Sequence, residues 1–134
     1  MKSTHDRHWT WLVVVVIAHL AISFVHGTAH GQANIPMSRL ANLFVFVVIL
    51  AGPLIGLAWT LRSRRTGAWL VAITMAASLV FGLVNHFVLS TPDHVSHVDP
   101  RWQPLFATTA VLLAITEALG SVLAIRVARE RSLT

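Results

Sequence analysis

Four long apolar runs decide what this chain can fold into: roughly residues 9–26, 40–61, 68–89 and 105–127 of 134. As a helix rising ~1.5 Å per residue, each is long enough to cross a hydrocarbon core of about 30 Å. Backbone N–H and C=O groups find no water there, so only helices and closed barrels are viable. None of the runs has the period-two alternation of a barrel strand. The expected fold is therefore all-α and integral to the membrane, a four-transmembrane-helix bundle forming a single domain over residues 1–134.

The basic residues give this bundle an orientation. Of ten Lys and Arg, Lys2 and Arg7 precede the first run, Arg62, Arg64 and Arg65 fill a short connection, and Arg126, Arg129 and Arg131 close the chain. The positive-inside rule then places both termini in the cytoplasm, with the connections near 27–39 and 90–104 on the extracytoplasmic side of the cell membrane. Trp9, Trp11, Trp59 and Trp69 fall at inner ends and Trp102 at an outer end, where amphipathic rings belong. The formal charge of +5 follows from these flanks and forms no basic stripe for nucleic acid. The expected partners are the lipid bilayer and further membrane subunits or copies of the chain. A competing reading takes residues 1–33 as a signal peptide cleaved after Gly31-Gln32-Ala33.

The chain has no cysteine, so any metal must be held by His, Asp, Glu or backbone oxygen. Gly52 and Gly56 form a GxxxG with Pro53 inside it, which predicts a close-approach face and a break in the second helix. Ala110, Ala114, Ala118 and Ser121 make a small-residue ridge on the fourth.

Eight histidines are the main chemical signal. His19, His26 and His30 lie seven and four residues apart, within about 40° of one another on one helix face if the helix reaches residue 30. His86 falls at nearly the depth of His26, and His94 and His97 join Asp93 and Asp99 in the outer loop TPDHVSHVDP. Imidazole and carboxylate suit zinc, nickel or copper, and the expected ligands are His26, His30, His86, His94, His97 and Asp93. Near mid-membrane, an ionisable group must face the interior with a partner. His19, Glu117 and Asn85 form an expected polar relay, although direct contact of His19 with Glu117 needs helix tilt or a bridging water.

The stretch FVHGTAHG, residues 24–31, resembles the HGxAHG signature of the nickel permeases that accompany hydrogenases and ureases. The likeness covers under a tenth of the chain and falls on His26, Gly27, Ala29, His30 and Gly31. It implies that the two histidines handle a metal ion. The sequence departs from the family at Ala33, where an acidic residue is usual, and it has fewer spans.

Three uses fit these features. The first is capture of a divalent transition metal by the outer histidines, for uptake or transfer. The second is an electron-transfer subunit in which His26 or His19 and His86 ligate haem, with Gly82 and Ala29 making room. The third is a structural or assembly subunit docking through its small-residue faces. Hydrolytic chemistry has little support, since the chain contains no HExxH, nucleophile elbow or phosphate-binding loop.

Overall fold

The computed structural model describes residues 4–130. Lys2 and Arg131, used above to argue orientation, lie outside them. Among the described residues there is no strand, and four helices are long and apolar enough to cross a membrane: α1 (Thr4–Gln32), α2 (Arg39–Thr60), α3 (Arg64–Val88) and α4 (Gln103–Arg129).

Local chemistry sets their ends. Ser38 and Ser63 are extended residues whose hydroxyls accept from the amides of Ala41 and Thr66, capping α2 and α3. Pro104 sits in the first turn of α4, where no intrahelical donor is required. The end of α1 is the informative one. It runs beyond residue 26 and through both Gly27 and Gly31, and stops at Asn34, whose φ is 52°. The Asn34 amide donates to the Gly31 carbonyl and the Ile35 amide to the His30 carbonyl, each at 3.2 Å. This is a Schellman closure with asparagine where glycine is usual, and it keeps His26 and His30 on one continuous helix.

In cross-section α4 packs between α1 and α3, and α3 packs between α4 and α2. One half of the bundle is tight. Leu12, Val16, Ala68, Val71, Met75, Ala124 and Val127 form its core, and Gly56 meets Gly67 across the α2–α3 seam. A Cβ on Gly56 would lie 2.6 Å from Val71 Cγ2 and 2.9 Å from the Val71 amide, and one on Gly67 would lie 2.6 Å from the Gly56 carbonyl. The GxxxG is thus spent on packing within the chain. Polar ties close the same end: the Trp9 indole donates to Thr60 Oγ1 at 3.4 Å, and His8 Nδ1 lies 2.7 Å from Glu130 Oε1.

Towards the other end α1 and α2 part, since α1 meets α2 chiefly along Gly52–Thr60. A cavity of about 770 Å³ fills the space, walled by α1, the outer half of α2, and α3 and α4. Two π-helical stretches border it, Val45–Ala51 in α2 and Val84–Val88 in α3. Such windings concentrate at functional positions. The first directly precedes Pro53, the residue from which the sequence predicts a break. Large apolar side chains such as Phe24, Leu40, Phe46, Leu61 and Val88 cover the outer surface.

The glycine seam gives the first prediction. Gly56→Val should lower stability by about 1–3 kcal/mol, the usual range for overpacking, because the added carbons meet backbone on α3. Gly27 has nothing within 4 Å of a built Cβ, so Gly27→Ala should be neutral or stabilising by up to ~1 kcal/mol. Thermal unfolding in detergent, followed by circular dichroism, should rank Gly56→Val below wild type and Gly27→Ala at or above it.

Candidate metal site

Three histidines meet at the outer end of the cavity. One ring nitrogen from each of His26, His30 and His86 lies within 4.8 Å of one from each of the others. The ring centroids are 5.2 Å apart for His26 and His30, 4.9 Å for His26 and His86, and 6.0 Å for His30 and His86. Phe106, wholly buried, contacts all three, with its ring centroid 4.6 Å from that of His26 and 5.1 Å from those of His30 and His86.

The outer loop completes the site by delivering Asp93. Its backbone is pinned to α3, where the Val95 amide donates to the His86 carbonyl at 3.0 Å, and to α4, where Gln103 Nε2 donates to the Val95 carbonyl at 2.9 Å. A small apolar cluster of Ala29, Val98 and Phe106, joined by Ile35, Val95 and Trp102, seats the loop over the end of α1. Asp93 Oδ1 then lies 2.8 Å from His30 Nε2 and 3.4 Å from His86 Nδ1. Neither approach is aligned as a hydrogen bond, so the contact is electrostatic in character. Burial works to raise the Asp93 carboxyl, but the two imidazoles outweigh it and hold the group well below the ordinary carboxylate range.

The surrounding acceptors decide which nitrogen of each ring is free. Thr109 has one hydroxyl proton, and it points to the carbonyls of Leu105 and Phe106 at 2.7 and 3.1 Å. With that proton on the Leu105 carbonyl, Thr109 Oγ1 accepts from His26 Nδ1–H, 2.8 Å away. That leaves His26 Nε2 as a lone pair, and this atom is buried without a partner. His86 Nδ1 donates to the Asp93 carbonyl at 3.1 Å, which leaves its Nε2 as the lone pair. His30 turns Nε2 to the Asp93 carboxylate, and its Nδ1 is buried and unpartnered. Tying one imidazole nitrogen to an oxygen acceptor while presenting the other is the arrangement that orients metal-bound histidines.

The remaining expected ligands lie apart from this triad. The rings of His94 and His97 lie 5.4 Å apart in the loop, tilted by 47°, with their Nδ1 atoms engaged by Ser96 Oγ and the Thr91 carbonyl, both at 2.7 Å. Asn85 donates to the Phe81 carbonyl one turn back at 2.8 Å. His19 and Glu117 do meet: both are buried, and His19 Nδ1 lies 3.8 Å from Glu117 Oε1. The other His19 nitrogen donates to the Ile49 carbonyl at 3.2 Å. Position 53 is proline, so that carbonyl lacks its i+4 amide donor, and His19 supplies a replacement from α1. Sequence reasoning missed Thr109, Phe106 and the Ile49 carbonyl. The last was accessible, because a proline in an apolar helix leaves the carbonyl four residues earlier in need of a donor.

No protein-family model matches this chain, and neither a curated protein nor a solved structure shows significant similarity to it.

The hydrogen-bond network fixes tautomers that can be read directly. In ¹⁵N-labelled protein at neutral pH without added metal, long-range ¹H–¹⁵N spectra should show His26 and His86 protonated at Nδ1, and His19 protonated at Nε2. The assignment fails if His26 is protonated at Nε2.

Proposed function

We propose that this chain is a four-span protein of the cell membrane, with cytoplasmic termini, whose extracytoplasmic triad of His26, His30 and His86 binds a divalent first-row transition metal for uptake or transfer. The observation that carries this reading is that three imidazoles each bring a ring nitrogen within 4.8 Å of the others, while His26 and His86 each tie one nitrogen to an oxygen acceptor. Each buried polar atom left without a partner costs about 1–3 kcal/mol. His26 Nε2 and His30 Nδ1 are two such atoms on the rings of this cluster.

The distances fit an ion after a small adjustment. Metal–nitrogen bonds of about 2.0–2.1 Å in tetrahedral geometry put the nitrogens ~3.3 Å apart. The nitrogens here lie within 4.8 Å of one another, so a bound ion would draw them together by up to about 1.5 Å. Three protein ligands leave a fourth coordination position open towards the cavity, the pattern of sites that exchange a ligand. The resemblance of residues 24–31 to the nickel-permease signature supports the same reading, since its two histidines are two of the three ligands.

Haem has weaker support. Axial ligation by His26 and His86 needs a macrocycle between the rings, whereas these rings touch edge to face at 4.9 Å with Phe106 against both. The membrane location rests on the length and apolarity of the four helices and on their exposed apolar surface. The sidedness rests on the distribution of Lys and Arg.

Protein purified in mild detergent without a histidine tag should bind zinc or nickel, and a His26→Ala, His86→Ala double variant should lose the ion at this site. Thr109→Val, which removes the acceptor that orients His26, should weaken binding about 10–100-fold. His94→Ala with His97→Ala should leave affinity unchanged. Elemental analysis and competitive titration with a chromophoric chelator measure all three, and a visible spectrum tests haem by its Soret band. Full metal binding by the double variant would overturn the reading.

A further inference from the structure

A second group of ligand atoms lies deeper in the same bundle. Glu117 lines the floor of the cavity and is 3% exposed, and its carboxyl makes no hydrogen bond among the described residues. His19 stands behind it, wholly buried. Its Nε2–H is committed to the Ile49 carbonyl, so Nδ1 carries the lone pair, and that atom too is buried without a partner. The separation of 3.8 Å between Nδ1 and Oε1 is too long for a hydrogen bond. An ion bound at about 2.0–2.2 Å from each atom fits between them with a bent nitrogen–metal–oxygen arrangement. A carboxyl and an imidazole placed together in apolar surroundings are costly unless something joins them.

We infer that His19 Nδ1 and Glu117 form a second, deeper station for a divalent transition metal, reached from the cavity through Glu117, which lines it, with His19 behind. The inference rests on the metal reading of that triad. Gly82 sits between the two stations, for a Cβ built there would lie 3.9 Å from Glu117 Oε2 and 3.9 Å from His86 Cδ2. With no side chain at position 82, the wall between the triad and the carboxyl stays low. Ser78 borders the cavity with its proton donated to the Thr74 carbonyl at 2.8 Å, which leaves oxygen lone pairs for an ion or its water. The stations differ in chemistry. The outer one is all nitrogen, and the deeper one pairs nitrogen with oxygen.

Cobalt(II) distinguishes them, because its visible bands report coordination. Detergent-purified wild-type protein, titrated with Co²⁺ and passed through gel filtration, should retain two equivalents by elemental analysis. Glu117→Gln should retain one, with the spectrum of the nitrogen site, and the His26→Ala, His86→Ala variant should retain one with a mixed nitrogen–oxygen spectrum. If Glu117→Gln elutes as aggregate, His19→Gln serves in its place, since its amide can still donate to the Ile49 carbonyl. Retention of two equivalents by Glu117→Gln or His19→Gln would overturn the deeper station. A single wild-type equivalent, abolished by His26→Ala, His86→Ala and untouched by Glu117→Gln, would overturn it while leaving the outer site intact. One equivalent lost only in Glu117→Gln would instead sink the outer triad and keep the deeper station, and no Co²⁺ binding by wild type would sink both.

Discussion

Everything in this bundle depends on satisfying the backbone polar groups of four helices long and apolar enough to cross a membrane. Regular helix does so automatically, and for most of the chain the sequence needs to supply only apolar length. The chemistry concentrates where the regular pattern breaks. Pro53 removes the amide that would serve the Ile49 carbonyl, and His19 on another helix fills the place. The π winding at Val84–Val88 carries His86, and the Schellman closure at Asn34 ends the helix just beyond His30. Side chains recruited to repair or exploit these breaks are polar by necessity, and the histidines among them retain a second nitrogen that the repair does not use.

The two halves of the bundle divide labour accordingly. Glycine-to-glycine approach between α2 and α3, with Met75 packed against Gly120, makes one half dense. The indole and imidazole ties at that end hold α1 and α4 to their neighbours. With one half clamped, the other can splay without the bundle coming apart, and the cavity occupies the opening. A uniformly packed bundle of four short helices would enclose no such volume. The small residues in α2 therefore act at a distance, by letting the outer half of that helix stand away from α1.

The architecture was largely legible in the sequence. Length and apolarity alone predict four helices, and they are present, with α1 and α4 extending beyond their apolar runs at both ends. The helical spacing of His26 and His30 and the matched depth of His86 correctly anticipate their meeting, because depth along a straight helix is simple arithmetic. Two kinds of information were not legible. Loop conformation decides that Asp93 turns inward while His94 and His97 pair on the surface, and that choice depends on contacts of Val95, Val98 and Gln103 with distant helices. The relative placement of α1 and α4 is the other: depth counting separates His19 from Glu117, yet their side chains come to 3.8 Å. The identity of the terminator was also hidden, since Gly27 and Gly31 are ordinary stop residues and the chain passes through both before stopping at Asn34.

The difference between the buried and the surface histidines shows why the cluster carries chemistry. Each of His26, His86, His19, His94 and His97 engages one ring nitrogen with an oxygen of the chain, so local bonding alone does not set any of them apart. What separates them is the fate of the second nitrogen. On the loop, water reaches it. At His26 and His19 the second nitrogen is buried and without a hydrogen-bond partner in the chain. Three imidazoles brought this close could hold a metal ion, and the acceptors behind His26 and His86 are of the kind that orient metal-bound histidines.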